Sequence, residues 1–235
     1  MLSTLMPRFL IVGLLAAFGL AACGDSEATQ RKAFIEFLQT RIVDKPGLHV
    51  PKPSDEQMKA FGAYAKDYGI ILSFNDGMDK NVTSQMEQVF KKGMVRSVAE
   101  LTTRRADITT AMEGMRALHA AIDAELAKAD AAHATLKQPD DLKPVYDKAY
   151  ERTVSAPAAT FKEVFPAVDG AFQAAQNFVS FLDQHHDGIK IDGNSIRTSD
   201  PKLNGEIDRL INALNQNSQA VLEAQRKLQA TIRGS

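Results

Sequence analysis

The amino-acid sequence predicts an all-α protein, an elongated antiparallel bundle of long amphipathic helices, from three observations. Apolar residues recur at alternating steps of three and four over several long stretches, which is the spacing of one helix face. Prolines and short polar segments separate these stretches. The single cysteine among the 235 residues excludes an intramolecular disulfide, so apolar packing between the helices must hold the fold together.

The first amphipathic helix is predicted to begin near Thr29. Its apolar face consists of Phe34, Phe37, Leu38 and Ile42. Three prolines make residues 45–53 a connector, and Ser54 with Gln57 has the pattern of a capping box at the next helix start.

A second apolar stripe follows that cap. Its members are Met58, Phe61, Ala65, Tyr68 and Leu72. Asn75-Asp76-Gly77 interrupts the stripe, as a turn or as a kink inside one long helix. We favour the kink because Val82, Met86 and Val89 resume the spacing, but one helix and two helices both remain open for residues 55–93.

The clearest periodicity covers residues 98–136. The stripe consists of Val98, Leu101, Arg105, Ile108, Met112, Met115, His119, Ile122, Leu126, Ala129, His133 and Leu136. It predicts one helix of about 40 residues, near 60 Å long. The average spacing of 3.5 residues indicates gentle left-handed supercoiling against partner helices.

The second half of the chain continues the pattern. A turn at Pro139-Asp140-Asp141 precedes a predicted helix over residues 142–152, and Ser155-Ala156-Pro157 is a further break. Pro166 predicts a bend in the next helix. That helix has the stripe Phe161, Phe165, Val168, Phe172, Ala175, Val179 and Leu182.

The segment before the last helix has no helical pattern. Alternating isoleucines and an Asp-Gly dipeptide predict a small β-hairpin or ordered loop near residues 188–198. Asp200 then caps the last helix and Pro201 begins it. Its stripe is Leu203, Ile207, Leu210, Leu214, Asn217, Val221, Ala224 and Leu228.

The N-terminus has the pattern of an export signal. Arg8 precedes a 14-residue apolar run over residues 9–22, which as a helix would reach about 21 Å, too short to span a bilayer. The run ends in Leu20-Ala21-Ala22-Cys23, which resembles the lipobox of bacterial lipoproteins. We therefore predict a signal peptide over 1–22, a lipidated tether over 23–28 and one helical domain over 29–235.

The lipobox resemblance implies diacylglycerol on the Cys23 thiol and an N-acyl chain on its amino group, and we expect no other cofactor. Several acyl chains anchor a protein stably to a membrane. Gly24, rather than an aspartate, follows Cys23 and favours the outer membrane by resemblance to the enterobacterial sorting rule, although Asp25 comes next. The expected location is the cell envelope, facing the periplasm.

The sequence offers few candidates for chemistry. His185, His186 and Asp187 are the densest group of metal ligands, but histidines at a helix C-terminus are explained more simply by the helix dipole. His119 and His133 lie about 21 Å apart on one helix, too far to share a metal ion. Arg105 either binds an anionic ligand or extends into solvent. We predict no catalytic residues and no enzyme activity.

Two stretches resemble the YiaF-like family of enterobacterial lipoproteins, catalogued as a domain of unknown function. The first covers residues 30–39, and the second joins Ala129-Asp130-Ala131-Ala132-His133 to residues 136–145. The segment 185–200 departs most from that family. The resemblance implies a lipoprotein of the cell envelope and supplies no activity or catalytic residue.

Three functions remain in order of preference. The first is a non-enzymatic module that binds an envelope protein or polymer; a net charge of −1 gives no reason to expect nucleic acid. The second is a carrier or sensor of a small apolar ligand held between helices, with a cavity lined by Phe161, Phe165, Phe172, Phe178 and Phe181. The third is a metal-assisted enzyme using His185 and His186. The oligomeric state is open, because a second copy could also cover the stripes.

Overall fold

In a computed structural model of the chain, the described residues are 19–83, 85–86, 97–193 and 195–234. These residues form an all-α fold with one small β-hairpin, as the sequence predicts. The predicted signal segment up to residue 18 and Val89 of the second stripe lie outside the described residues.

The bounds of the elements are as follows. The α-helices are α1 Gly19–Leu38, α2 Asp55–Phe61, α3 Ala65–Gly77, α4 Val98–Thr103, α5 Arg105–Ala134, α6 Lys143–Tyr150, α7 Ala156–Lys162, α8 Val164–Gln184 and α9 Pro201–Arg233. Turns of π-helix extend α1, α3 and α6 over Gln39–Val43, Met78–Thr83 and Glu151–Ser155. Short 3-10 turns cover Gly62–Tyr64 and His186–Gly188, and strands β1 Lys190–Asp192 and β2 Ser195–Arg197 pair antiparallel.

Helix α1 packs an aromatic core with α2, α3 and α6. The aromatic core is the cluster of buried residues around Phe34, Phe37, Leu38, Ile42, Phe61, Tyr68, Ile71, Phe74, Tyr146, Tyr150 and Val154. All four residues of the first predicted stripe belong to it. Residues 23–28, which we predicted as a tether, lie within α1; the division into signal, tether and body stays a prediction.

Helices α2 and α3 begin as predicted but are not continuous. Ser54 and Gln57 form the predicted capping box. Gly62 has a φ of 56°, and the chain turns there between Phe61 and Tyr64. At Asn75-Asp76-Gly77 the backbone stays helical and continues into the π-helical turn, so the predicted kink is confirmed rather than the turn.

The prediction of one helix over residues 98–136 is wrong, because the structure divides it at Arg104. That residue has φ −106° and ψ 30°, outside the helical region. The adjacent Thr102 and Thr103 both donate their hydroxyls to the carbonyl of Ala99. Two successive β-branched residues with such bonds weaken a helix locally. The second piece, α5, ends at Ala134.

The next helices also differ from the prediction in their joints. The backbone is helical through Ser155, where we predicted a break, because a π-helical turn joins α6 to α7. The expected bend near Pro166 lies instead at Glu163, between α7 and α8. Pro166 occupies the first turn of α8, where its missing N–H leaves no intrahelical bond unmade.

The long helices pack side by side in alternating directions. Arg105, at the start of α5, pairs with Asp183 near the end of α8, so α5 and α8 are antiparallel. Helix α9 returns along α8 and parallel to α5. Two smaller clusters follow the aromatic core along the bundle. The middle cluster is Val82, Met115, Leu118, Ile122 and Phe165, and the hairpin-end cluster is Phe178, Leu182, Ile189, Ile207 and Leu210.

The last helix is fixed at both of its ends. The Asp200 side chain accepts from the Lys202 N–H at 2.8 Å, and Pro201 occupies the first turn, as predicted. At the other end the Leu48 N–H donates to the Ile232 carbonyl at 2.9 Å. Gly47 beside it has a φ of 72°, and a Cβ there would collide with the backbone of α9. The end of the chain is therefore docked onto the connector that follows α1.

Candidate functional site

An apolar slot between three helices is the main concave feature with a uniform chemistry among the described residues. We call it the interhelical slot; its volume is about 520 Å3. It is lined by Met86, Leu101, Ile108, Met115, Leu118, Phe161, Val164, Phe165, Val168, Ala171, Phe172, Ala175, Ser218, Val221, Leu222, Gln225 and Leu228. Pockets for small molecules commonly have this size and a largely apolar wall.

The slot exists because α9 does not close onto α8 along its whole length. The buried residues of α9 are Ile207 and Leu210, near its start. Further along, Val221 and Leu228 face α8 but stay partly exposed. Their apolar partners Phe161 and Phe172 are partly exposed too. Side chains that the stripes predicted as core therefore line an open slot here.

Charged pairs lie at the ends of the slot rather than inside it. Lys227 of α9 donates to Glu163 at the joint between α7 and α8. Lys162 donates to Asp123 of α5 at 2.6 Å, and this bond holds the pKa of the Asp123 carboxyl below its ordinary value. The described lining residues include no charged side chain. The slot is thus electrically neutral and suited to an uncharged, apolar group.

The five phenylalanines predicted to line a cavity separate into two groups. Phe161, Phe165 and Phe172 line the slot. Phe178 is fully buried in the hairpin-end cluster, and Phe181 packs against that cluster. The prediction of an aromatic-lined cavity therefore holds for the first three residues and is wrong for the last two.

The contribution of α9 was not predicted. Leu222 is 44% exposed and forms the rim of the slot with Ser218 and Gln225. A sequence signal existed: Val221 and Leu222 are adjacent, so the apolar face of α9 is wider there than a single stripe. A widened face indicates more apolar surface than one neighbouring helix can cover.

The histidines at the end of α8 do not converge on one point. The His185 ring packs on Phe181 with ring centroids 4.7 Å apart. His186 bonds the Asp183 carbonyl at 2.8 Å and lies beside the highly exposed Asp187. In the part of the chain that the structure describes, no three His, Cys, Asp or Glu side chains are placed to hold a metal ion. The metal hypothesis therefore receives no support.

The histidines of α5 have packing partners instead. His133 lies 2.8 Å from an Asp147 carboxylate oxygen and stacks on Tyr150. Burial raises the pKa of Asp147, but hydrogen bonds from Lys143 and His133 outweigh it and leave the pKa lowered. His119 stacks on Phe165 with centroids 4.4 Å apart. Both histidines thus join α5 to its neighbours.

Arg105 is also engaged by protein. It is about half exposed and forms an ion pair with Asp183 at the edge of a polar cleft of about 370 Å3. Thr109, Gln176 and Ser180 contribute to the same cleft. Because its charge already has a carboxylate partner, an anionic ligand would have to displace Asp183.

The residues of the predicted lipobox lie at the start of α1. Leu20, Ala21, Ala22 and Cys23 fall within the first turns of this helix, 11 or more residues before the buried Phe34. Glu27 and Arg31 pair one turn later, and Arg31 also reaches Asp141 at 3.1 Å. Among the described residues, no helix has both the length and the hydropathy to cross a membrane.

Comparison with known proteins places the chain among relatives of unknown activity. The family described as "Protein of unknown function (DUF3053)" matches residues 11–229. The chain is 28% identical over 215 residues to "Uncharacterized protein YiaF" of Escherichia coli strain K12, a match that covers 91% of each chain. The same figures hold for the YiaF protein of Shigella flexneri. No solved structure matches the chain.

Proposed function

Because the chain belongs to the DUF3053 family, whose description names no activity, we propose a function from its own residues: it is a lipid-anchored lipoprotein of the cell envelope that binds rather than catalyses. One observation carries this proposal. The only cysteine of the chain, Cys23, directly follows an apolar run that ends Leu-Ala-Ala. Thioether-linked lipid at that position would hold the helical body at a bilayer surface.

The helical body is suited to a fixed position near the membrane. Helix α1 runs without interruption from Gly19 to Leu38, and its second half is part of the aromatic core. A lipid on Cys23 would therefore be joined to the body by a helix rather than by a long flexible linker. This supports a module that presents one surface to an envelope protein or polymer.

Replacing the cysteine tests the anchoring. We expect Cys23→Ser to abolish incorporation of labelled palmitate and to leave the uncleaved precursor. A matched control moves the thiol by three residues, combining Cys23→Ser with Ser26→Cys, and should also remain unlipidated. A Cys23→Ser product that is still cleaved and still lipid-labelled would overturn the proposal.

The membrane that is chosen is a separate part of the proposal. We propose the outer membrane, since Gly24 rather than an aspartate follows Cys23. Replacing Gly24 by aspartate should move the protein to the inner-membrane fraction on a density gradient, while Gly24→Ser should leave it in the outer-membrane fraction. Wild-type protein in the inner-membrane fraction would contradict this part.

A second candidate function is a carrier or sensor of an apolar ligand, and the interhelical slot favours it. The slot is neutral, about 520 Å3 in volume and lined by three phenylalanines. Organic extraction of protein purified from cells, followed by mass spectrometry, should then recover a ligand in a stoichiometric amount. Recovery of only trace, heterogeneous lipid would favour the binding module without a ligand.

A further inference from the structure

The interhelical slot is bounded by a helix that is held at both ends and cannot simply close. Near its start, Ile207 and Leu210 of α9 are buried in the hairpin-end cluster. Near its end, Ile232 accepts the Leu48 N–H at 2.9 Å. Gly170 of α8 gives Asn217 of α9 a close approach, since a Cβ on Gly170 would collide with the Asn217 amide oxygen. The gap beyond Asn217 is therefore a fixed feature of the packing.

The slot is long and narrow. It follows α9 from Ser218 to Leu228 and α5 from Ile108 to Leu118, a length of roughly 15 Å at 1.5 Å per residue. A volume of about 520 Å3 spread along that length is narrow for its extent. An α-helix with its side chains is about 10–12 Å across, which is too thick to enter. A single extended hydrocarbon chain has the matching form.

The walls are suited to hydrocarbon and not to an ionised group. Phe161, Phe165 and Phe172 supply aromatic faces, and Met115 supplies a flexible thioether that adapts to irregular ligands. The polar members Ser218 and Gln225 are exposed at the rim. A free fatty acid would find no cation among the described lining residues for its carboxylate, whereas a lipid whose headgroup stays outside needs none.

We infer that the interhelical slot binds one unbranched acyl chain of a membrane phospholipid, with the headgroup outside the rim formed by Ser218, Leu222 and Gln225. This inference rests on the proposed carrier function, and on the lipid anchor for access to a bilayer. Leu222 is 44% exposed and apolar, so the rim itself tolerates a hydrocarbon surface beside it.

Photocrosslinking in cells tests the inference on the full-length chain. Cells expressing it are fed a palmitic acid analogue with a mid-chain diazirine and a terminal alkyne, which enters the phospholipids. After irradiation the protein is captured through the alkyne, digested and mapped by mass spectrometry. We expect adducts with the mass of a glycerophospholipid on peptides that contain residues 161–175 and 218–228.

Three outcomes would overturn the inference. The first is the absence of slot adducts, including adducts confined to the lipid-bearing N-terminal peptide. The second is equal labelling at Ile191 and Ile232, which are exposed outside the slot and would report general contact with the bilayer. The third is an adduct on the slot peptides with the mass of the free fatty acid alone, which would assign the slot to that ligand instead.

Filling the slot provides a matched pair of variants. Ala171→Phe places a ring in the slot, and Ala120→Phe places the same ring on an exposed position of α5. We expect the first to lower the yield of slot adduct at least fivefold and the second to leave it unchanged. If Ala171→Phe melts much earlier than the wild type, Leu222→Glu at the exposed rim decides, with the same fivefold loss expected. Unchanged yield in a folded variant would overturn the inference.

The Cys23→Ser variant separates this inference from the lipid anchor. Loss of membrane attachment with slot adducts retained would leave the slot assignment standing without the anchor. Normal lipidation of Cys23 with no slot adduct would leave the anchor standing without the slot. Slot adducts that persist while extraction yields no bound lipid would support a transient contact with phospholipid and refute a stoichiometric carrier.

Discussion

The two ends of the bundle use phenylalanine in opposite ways. In the aromatic core, Phe34 is fully buried and lies 5.1 Å from Phe61 between ring centroids. Around the interhelical slot, Phe161 and Phe172 are partly exposed although they lie on an equally regular stripe. The difference is in the partners: several short helices surround the core closely, whereas one long helix spans the slot. A periodic stripe thus identifies the inner face of a helix but not whether that face is filled.

The largest effect should distinguish these two regions directly. Phe34→Ala should lower the free energy of unfolding by about 3–5 kcal/mol, because it leaves a cavity in a close-packed core. Phe172→Ala should cost about 1 kcal/mol, since its ring already borders open space. Denaturant unfolding followed by circular dichroism measures both. Equal losses would mean that the slot is filled in solution and that the comparison is wrong.

A buried hydroxyl sharpens the comparison within the aromatic core. Tyr68 is fully buried and donates to the Pro51 carbonyl at 2.6 Å, and burial raises the pKa of its phenol. Tyr68→Phe should cost about 2 kcal/mol, because the buried carbonyl loses its donor. The control is Tyr64→Phe, at a partly exposed ring whose hydroxyl donates to Glu27, and its cost should be clearly smaller. The same unfolding measurement compares the two.

Helix caps should show no difference between the two regions. Ser54 caps α2 beside the aromatic core, and Asp200 caps α9 beside the hairpin. Each alanine substitution should cost about 1 kcal/mol, because a cap satisfies local backbone N–H groups wherever the helix lies. Thermal unfolding of both variants checks this. A cost confined to Ser54→Ala would mean that α9 unfolds separately from the rest.

The smallest effect is a pH dependence at the junction of the two regions. Glu125 of α5 is buried, and its pKa is lowered by the hydrogen bond from Lys128 and by that from Asn81, which together outweigh burial. A depressed folded-state pKa stabilises the fold above the ordinary value of 4.5 and loses that contribution as the pH falls through the folded value.

Glu125→Gln should therefore be less stable than the wild type at neutral pH, and the difference should shrink as the pH falls below that ordinary value. Unfolding free energies measured across the acidic range test the sign. Lys128→Gln, which removes the largest cause of the shift, should weaken the same pH dependence. A difference that grows toward acid would contradict the assignment.

Much of the fold could be predicted from the sequence because it depends on local chemistry. The cap at Ser54, the start at Asp200-Pro201, the hairpin and the buried face of α1 all follow from a few neighbouring residues. The stripe of α5 was less exact. Positions Ile108, Met115, Ile122 and Ala129 are buried as predicted.

Between those positions, however, the structure buries Leu118 and Glu125 rather than His119 and Leu126. Helix α5 contacts α3 on one side and α8 on another, so its buried face is displaced from the apolar stripe. Periodicity along one helix cannot reveal where two partners will lie. The same limit applies to the slot, because the separation of α8 and α9 is set by contacts at their ends and not by the residues between.

The docking of Ile232 onto Leu48 joins segments from nearly opposite ends of the chain. Such a contact has a large loop-closure entropy, so it can form only after the intervening helices are in place. Synthesis must therefore be complete before α9 acquires its second attachment. Until then the apolar walls of α8 stay uncovered, which makes the nascent protein most exposed to aggregation just before its final residues emerge.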